Sequence, residues 1–184
     1  MLPQPQAVKG AASEAAGKIF SRAQIEPSDF RRTLGYFCTG VVTITGYDRG
    51  EPIGFTAQSL VSLSLDPPLV GFSPSKSSET WPRLRNSKLF CVNILCEDQV
   101  EICEVFARRS SDRFKKIGWR HCASGLPVID GSLGYICCTL EAEYETGDHF
   151  FVVGHVGELN VLRPENEPLL FFRGVVRSGS SASS

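Results

Sequence analysis

The loop at residues 73–80 carries the clearest candidate chemistry in the sequence. It reads Ser-Pro-Ser-Lys-Ser-Ser-Glu-Thr and joins a predicted strand to a predicted helix whose first turn accepts Pro82. Its hydroxyls can donate hydrogen bonds to a phosphate, Lys76 adds positive charge, and the helix start adds free N–H groups and a favourable dipole. On these residues alone, a loop that merely caps the helix through Ser78 or Thr80 is the simpler explanation.

A second polar segment could hold a flat ring. Residues 56–59 read Thr-Ala-Gln-Ser at the end of a predicted strand, and Ser62 and Ser64 follow on one face of the next strand. Such small side chains let a ligand approach the backbone closely. Plain alternation on a half-exposed strand is the competing explanation, and it would account for the serines without any ligand.

His149 ends a Gly-Asp-His triplet between two long predicted strands, so we expect it at the mouth of a barrel. There it could donate a hydrogen bond or titrate, and a surface turn residue is the equal alternative. His155 should share its strand face, but no third ligand makes the pair a metal site, and we expect no metal. Two isolated cations, Arg113 and Arg173, could each pair with a phosphate or with an acid.

Strands are the main elements that must position these residues. A helix is predicted over residues 27–40, another after the serine loop, and a third over residues 98–108. Extended segments are predicted at 41–45, 53–59, 60–65, 69–73, 89–95, 134–145, 149–161 and 169–173. Short turns join most of them, and neither a G-x-G-x-x-G nor a Walker loop is present. The pattern predicts a mainly β fold, an antiparallel barrel with two or three short helices.

Composition and charge exclude several classes of partner. Of the 184 residues, 42% are hydrophobic and 21% charged, as in an ordinary globular domain. The formal net charge of -1 does not favour nucleic acid or an anionic membrane, and no stretch approaches the roughly 20 apolar residues of a membrane span. We therefore expect a soluble protein with no nucleic-acid partner and no membrane partner.

The cysteines suggest a reducing compartment. Their odd number and scattered positions fit neither paired zinc ligands nor a disulfide scaffold, so we expect reduced thiols in a cytoplasmic protein, mostly as small buried hydrophobes. Cys137 and Cys138 are neighbours on a predicted strand and should face opposite sides of it. The seven are Cys38, Cys91, Cys96, Cys103, Cys122, Cys137 and Cys138.

The two ends of the chain differ in composition from the middle. Residues 1–25 are rich in Ala, Pro, Gln and Gly, and residues 178–184 contain only Ser and Gly apart from one Ala. We expect a flexible N-terminal tail at 1–25, one folded domain at 26–176 and a flexible tail at 177–184.

Eight segments recur in an order and spacing that resemble a known family. They are FRRTLGYFCTGVV at 30–42, GFTAQS at 54–59, SLSLDPPL at 62–69, FCVNI at 90–94, DRF at 112–114, GLP at 125–127, GDH at 147–149 and PLLFFRG at 168–174. Over roughly residues 28–174 the chain resembles the flavin reductase-like family, the short-chain reductase components of two-component flavin monooxygenases.

The resemblance implies an FMN-binding split β-barrel that forms a homodimer, with FMN or FAD near the subunit interface. It also implies hydride transfer from NADH or NADPH to the flavin, and supply of the reduced flavin to a separate flavin-dependent monooxygenase. The Phe-Cys-Thr-Gly and Ala-Gln-Ser motifs are similar to those of reductases that serve hydroxylases of phenolic or steroid-derived rings.

The resemblance further assigns roles to individual residues. The flavin ring and ribityl chain would lie against the strand ends, the phosphate would lie in the serine loop, and Phe172 and Arg173 would close the pocket. His149 would face the nicotinamide as the one candidate catalytic residue. The implied cofactor-binding residues are Val42, Thr43, Thr56, Ala57, Gln58, Ser59, Ser62, Ser73, Lys76, Ser77, Ser78, Thr80, His149, Phe172 and Arg173.

Two positions depart from the common family pattern, and two other functions stay open. Gln58 stands where many members have serine, which bears on flavin preference, and Val176 stands where many have tyrosine, which bears on ring contacts near the C-terminus. The first alternative function is a non-catalytic flavin-binding sensor. The second is an oxidoreductase with tightly bound FMN that reduces another acceptor.

Overall fold

The computed structural model describes residues 25–108 and 112–178. The chain separates into two compact units, the first ending at Tyr36 and the second beginning at Phe37. The tails expected at residues 1–25 and 177–184 lie almost entirely outside the described residues.

The first unit contains helix α1, Pro27–Leu34. Pro27 suits the first helical position, where a missing N–H breaks no hydrogen bond, and Gly35 follows the helix with its N–H bonded to the Arg31 carbonyl. The prediction that this helix extends to residue 40 was wrong. Residues 39–40 form a short strand instead, because their partners lie at residues 170–171, far beyond the reach of helical spacing.

The second unit is mainly β, as predicted. Its described strands are β1 (Thr39–Gly40), β2 (Val42–Asp48), β3 (Glu51–Ala57), β4 (Val61–Leu65), β5 (Pro68–Phe72), β6 (Leu89–Ile94), β7 (Trp119–His121), β8 (Pro127–Ile129), β9 (Gly134–Thr146), β10 (His149–Val161), β11 (Leu169–Phe172) and β12 (Val175–Ser178). Helices α2 (Trp81–Leu84) and α3 (Val100–Ala107) lie close to the predicted positions. Strands β1, β7, β8 and β12 were not predicted, because two to four residues are too few to show an alternating pattern.

Seven strands form one antiparallel sheet in the order β3-β2-β6-β9-β10-β5-β4. Its two edge strands, β3 and β4, are consecutive in the chain and only residues 58–60 join them. The sheet must therefore curl until its edges approach each other. The curled sheet with an open seam confirms the predicted split barrel.

The core of the barrel is an aromatic cluster. Phe72 is fully buried, and its ring meets both Trp81 and Phe90 edge-on with centroids 5.3 Å apart. Such edge-to-face pairs add to the stability gained from burial. The indole N–H of Trp81 donates to Glu143 Oε2 at 2.6 Å, and Arg85 bonds the other oxygen of that carboxylate at 2.7 Å. These bonds fix α2 across the core.

A buried hydrogen-bond network joins the barrel to the β7–β8 hairpin. Asn93 is fully buried on β6 and donates its Nδ2 to Thr45 Oγ1 at 2.9 Å and to the Thr43 carbonyl at 3.2 Å. Its Oδ1 accepts the N–H of Ile129 at 2.8 Å, while Thr45 donates to the Pro127 carbonyl at 2.6 Å. The network lies on the side of β2 and β6 that faces away from the aromatic core.

Strand β4 leaves its apolar side chains exposed. Val61 is 43% exposed, Leu63 41% and Leu65 91%. Pairing with β5 shifts register between Ser62 and Ser64, so a β-bulge interrupts the strict alternation read from the sequence. Alternation predicts that the two faces of a strand differ, but it does not identify the element that covers either face.

The described cysteines are all unpaired thiols. Cys137 and Cys138 lie in different core clusters, which confirms that they face opposite sides of β9. Five of the seven are buried, whereas Cys38 is exposed and Cys122 is partly exposed. No helix in the described part of the chain has the length and apolar character that a membrane crossing requires.

Candidate functional site

A cavity of about 780 Å³ lies where β3 ends. This volume is within the range of about 300–1,000 Å³ that small-molecule sites have. The end of β3, the serine loop, the start of α2, the end of α3 and the start of β10 form its wall. It brings together the following predicted residues: Thr56, Ala57, Gln58, Ser59, Ser73, Ser77, Ser78, Thr80 and His149.

Hydrogen bonds fasten the serine loop to neighbouring elements. The Lys76 N–H donates to the Asp148 carbonyl and the Phe150 N–H to the Pro74 carbonyl, each at 2.9 Å. The Ser73 N–H donates to Ser59 Oγ at 2.8 Å. The loop is therefore held between the end of β3 and the β9–β10 turn, which brings its hydroxyls and His149 to one cavity.

Only some of the loop hydroxyls are taken up by local structure. Ser78 Oγ accepts the Trp81 N–H at 3.2 Å, so the capping role considered for this residue is present. Ser75 and Ser77 share a hydrogen bond between their hydroxyls at 2.8 Å, and either oxygen can be the donor. Helix α2 spans only four residues, so its dipole contributes little. Anion binding by this loop would depend on side chains and on nearby cations.

Lys76 does not line the cavity. Its Nζ pairs with Glu145 Oε2 at 2.9 Å and lies 5.7 Å from the centre of the Phe150 ring. This ion pair lowers the pKa of the Glu145 carboxyl. The lysine that the sequence suggests for the phosphate is therefore turned toward the β9–β10 hairpin.

Two arginines line the cavity instead: Arg113, which the sequence offered as a partner for a phosphate or an acid, and Arg83, which it did not single out. Arg113 Nη1 donates to the Gly54 carbonyl at 2.6 Å and to Thr80 Oγ1 at 3.2 Å. Within residues 25–108 and 112–178, the hydrogen-bond acceptors of the Arg113 guanidinium are all neutral, although the Glu79 carboxylate on the same wall is near enough to act on it by charge. Burial lowers the pKa of Arg113. Arg83 is different, because its Nε pairs with Asp48 Oδ2 at 2.8 Å. A partly buried guanidinium that donates only to neutral acceptors favours an anionic ligand.

His149 is the first residue of β10. Its Nδ1 bonds Asp148 Oδ1 at 2.8 Å, so Nε2 is the ring nitrogen available to a ligand. The turn that precedes it needs Gly147, whose φ of 58° is in the left-handed region that favours glycine. The histidine thus lines the cavity from a rigid strand end.

Six predicted residues, all within the described part of the chain, do not line this cavity. Val42 and Thr43 are buried in β2 and pair with Ala57 and Thr56, so they lie behind the wall. Among the described residues, Thr43 Oγ1 has no hydrogen-bond partner.

Three of these six lie on or beside other strands. Ser62 is exposed on β4, and Phe172 and Arg173 lie at the β11–β12 turn, where Arg173 has a φ of 53°. Lys76 is the sixth. The residues that sequence reasoning did not assign to the wall are Phe55, Pro74, Ser75, Glu79, Arg83, Phe106, Ala107 and Arg113.

The wall has the features that a flavin mononucleotide moiety requires. Ala57 and Ser59 are small and leave a strand end open to a ring, while hydroxyls from 73–80 and the Arg113 guanidinium offer donors to a phosphate. Thr56 is the exception, because its hydroxyl donates to the Cys103 carbonyl at 2.9 Å and thereby holds α3 against the sheet.

A second cavity of about 630 Å³ adjoins the first. Thr80, Arg83 and Arg113 belong to the walls of both cavities. Its other side carries the aromatic rings of Phe114 and Trp119, whose centroids are 5.5 Å apart. Cations at a shared wall with aromatic rings beyond them suit a ligand with a second phosphate and a second ring system.

Comparison with known proteins identifies a family and several relatives. Residues 34–180 match the model of the flavin reductase like domain. Over 150 aligned residues the chain is 47% identical to the flavin-dependent monooxygenase reductase subunit HsaB of Rhodococcus jostii. The aligned region covers 82% of this chain and 76% of that protein.

Two solved structures have similar folds. Nitrilotriacetate monooxygenase component B from Mycobacterium thermoresistibile superposes with a TM-score of 0.78 at 48% identity, covering 81% of this chain and 84% of that one. An NADH:FAD oxidoreductase of Streptomyces globisporus, solved with NAD and FAD fragments, superposes with a TM-score of 0.79 at 33% identity. The match covers 87% of this chain and 98% of that one.

Proposed function

Because the chain belongs to the flavin reductase like domain family, we propose that it is the NAD(P)H:flavin oxidoreductase of a two-component system. It reduces free flavin and supplies the product to a separate flavin-dependent monooxygenase. The partner of this kind that fits the sequence motifs hydroxylates an aromatic or steroid-derived ring. The observation that carries the proposal is a single cavity that joins a strand end, a hydroxyl-rich loop and a guanidinium whose acceptors in the described part of the chain are neutral.

The residues of this chain bind and orient the reactants in this mechanism. When bound, the flavin would supply the hydride acceptor and the nicotinamide the donor, so the protein would need no nucleophile. Residues 56–59 hold the ring, the loop hydroxyls and Arg113 hold the phosphate, and His149 Nε2 orients the nicotinamide. Val42 and Thr43 support the ring from behind the wall. Lys76 is then outside the phosphate site.

FAD is the proposed flavin. An adenylate moiety would extend past the shared wall into the second cavity, where Phe114 and Trp119 offer faces for the adenine and Arg83 lies near the second phosphate. NADH is the proposed reductant, by similarity to the NADH:FAD oxidoreductase of Streptomyces globisporus.

A homodimer is proposed for the assembly. The exposed side chains of Val61, Leu63 and Leu65 on the edge strand β4 offer an apolar surface that a second copy can cover. Ser62 lies on this strand, and Phe172 and Arg173 lie on the β11–β12 hairpin. We infer that these residues reach the flavin from an adjoining subunit. The proposed location is the cytoplasm, where seven reduced thiols are stable.

Steady-state oxidation of NADH and NADPH by purified protein tests the function, with FMN, FAD or no flavin added. We expect turnover with NADH and FAD, and loss of the reduced flavin from the protein on rapid dilution. Tight flavin binding without NADH oxidation would instead support the sensor alternative. Turnover that continues with flavin retained through dilution would support the alternative with permanently bound FMN.

A further inference from the structure

A thiol cluster lies outside the cavities described above. It consists of Cys91 on β6, Cys137 on β9 and Cys122 in the β7–β8 turn, with the carboxylate of Glu158 on β10 beside it. Cys122 Sγ and Cys137 Sγ are 3.3 Å apart, and one ligand atom from each of Cys122, Cys137 and Glu158 lies within 4.8 Å of the other two. None of these residues lines either cavity.

We propose that Cys122, Cys137 and Glu158 form a binding site for a soft divalent cation, with Zn²⁺ as the intended ion. Two sulfur ligands select Zn²⁺ over Mg²⁺ or Ca²⁺, and a carboxylate is a common third ligand of zinc. A water completes the tetrahedron on the partly exposed side at Cys122. The site is separate from the proposed reductase activity and does not depend on it.

The sulfur–sulfur distance favours a metal ion over a disulfide. Zn–S bonds of about 2.3 Å in a tetrahedron place two sulfurs about 3.8 Å apart, so the pair has to open by only about 0.5 Å. A disulfide requires about 2.05 Å, so the same pair would have to close by more than 1 Å. The present separation is therefore nearer to the metal-bound arrangement.

Hydrogen bonds already orient the carboxylate. Glu158 Oε1 accepts Tyr135 OH at 2.7 Å and the Ala123 N–H at 3.2 Å, while Oε2 accepts the Ser124 N–H at 2.8 Å and the Ser124 hydroxyl. These four bonds use the acceptor positions of the carboxylate, so a Zn–O bond has to replace one of them, and the Ser124 hydroxyl, which can rotate away, is the donor that gives way. The other three remain as outer hydrogen bonds of the kind that commonly hold metal-binding carboxylates. These bonds lower the pKa of Glu158 to about 2, so this ligand is ionised and has no proton to lose.

The two thiols are protonated in the free protein. The hydrogen bond with Cys91 and burial raise the pKa of Cys137, and burial together with the bond to Cys137 raises that of Cys122. Thiolates are the nucleophiles in oxidation, so raised pKa values disfavour attack on an oxidant. Zinc binding forms two Zn–S bonds and one Zn–O bond and releases the two thiol protons to solvent. Affinity should therefore rise with pH.

Titration of the reduced, chelator-treated protein with Co²⁺ tests the site. We expect sulfur-to-cobalt charge-transfer absorption, intense four-coordinate d–d bands, saturation at one Co²⁺ per chain and displacement by Zn²⁺. Cys122→Ser should abolish the bands and Glu158→Gln should weaken binding at least about tenfold, a typical cost of disturbing a metal site. Cys38→Ser is the matched control, because this exposed thiol lies outside the cluster, and it should leave the titration unchanged.

Alkylation of the unsubstituted protein tests the site without any variant. At a pH alkaline enough for metal-free Cys122 to react, Zn²⁺ should protect Cys122 from iodoacetamide, as mapped by mass spectrometry, and leave Cys38 reactive. Absence of the cobalt bands, bands that persist in Cys122→Ser, or no protection of Cys122 would overturn the proposal. So would a purified protein with five titratable thiols in place of seven and no bound metal, since that result would indicate a disulfide.

Discussion

The identity of the phosphate-binding cation can be tested by comparing Arg113→Met with Lys76→Met. Arg113 lines the cavity and its guanidinium donates to neutral acceptors, whereas Lys76 pairs with Glu145 outside the wall. A hydrogen bond to a charged group contributes about 1.5–3 kcal/mol, which is about 10- to 150-fold in affinity. We expect Arg113→Met to weaken FAD binding by that factor, measured by equilibrium titration of flavin fluorescence.

Lys76→Met should change the same dissociation constant less than about fivefold, because Lys76 lies outside the cavity wall and an exposed charge contributes only about 0–1 kcal/mol. Arg113→Lys is the matched control, since it keeps the charge and loses the planar fork, and it should fall between the two. Thermal melting must accompany each titration, because Arg113 also bonds the carbonyl of Gly54. A larger loss of affinity for Lys76→Met than for Arg113→Met, with both variants folded, would refute the assignment.

Three further predictions concern the reaction and the stability of the fold. His149→Ala should lower NADH turnover and leave FAD affinity largely intact, and unchanged turnover would remove this histidine from the mechanism. Asn93→Ala removes three hydrogen bonds, which join the side chain to Thr45, to the Thr43 carbonyl and to the Ile129 N–H. At about 1 kcal/mol per bond, urea unfolding should show a free energy of unfolding lowered by about 3 kcal/mol. A decrease below 1 kcal/mol would contradict this account. The pKa of Glu158 is lowered from the usual 4.5 to about 2. The ionised carboxylate therefore stabilises the fold fully above pH 4.5, and this stabilisation is lost as the pH falls toward 2. Glu158→Gln should accordingly lose less stability over that pH range than the unsubstituted protein.

Local patterns in the sequence identified most of the elements but not their partners. Alternation located the long strands β9 and β10, and the Gly-Asp turn between them located His149, since these signals lie within a few residues of one another. Helical spacing failed after Leu34, and at residues 39–40 pairing with residues 170–171 determines the conformation. The resemblance supplied the split barrel and the flavin, which alternation alone does not predict.

The charged groups of the candidate site were harder to predict than its hydroxyls. Lys76 lies among serines in the sequence, but a carboxylate 69 positions later draws its side chain away from them. Arg113 reaches Thr80 across 33 positions, and no local pattern marks that contact. The same holds for the thiol cluster, in which strand pairing and a turn bring together residues with none of the short spacings typical of zinc ligands.

The placement of the two tryptophans gives the molecule two separate optical reporters. Trp81 is fully buried among aromatic rings and its indole is bonded to Glu143, so its emission follows the integrity of the barrel. Trp119 lines the second cavity, where an adenylate-bearing flavin would lie within range for energy transfer from the indole to the isoalloxazine. Trp81 is also near the first cavity, because its ring centroid lies 6.5 Å from that of Phe55 on the cavity wall. In flavin-free Trp119→Phe the remaining emission therefore reports folding, and quenching of either indole on addition of flavin reports occupancy.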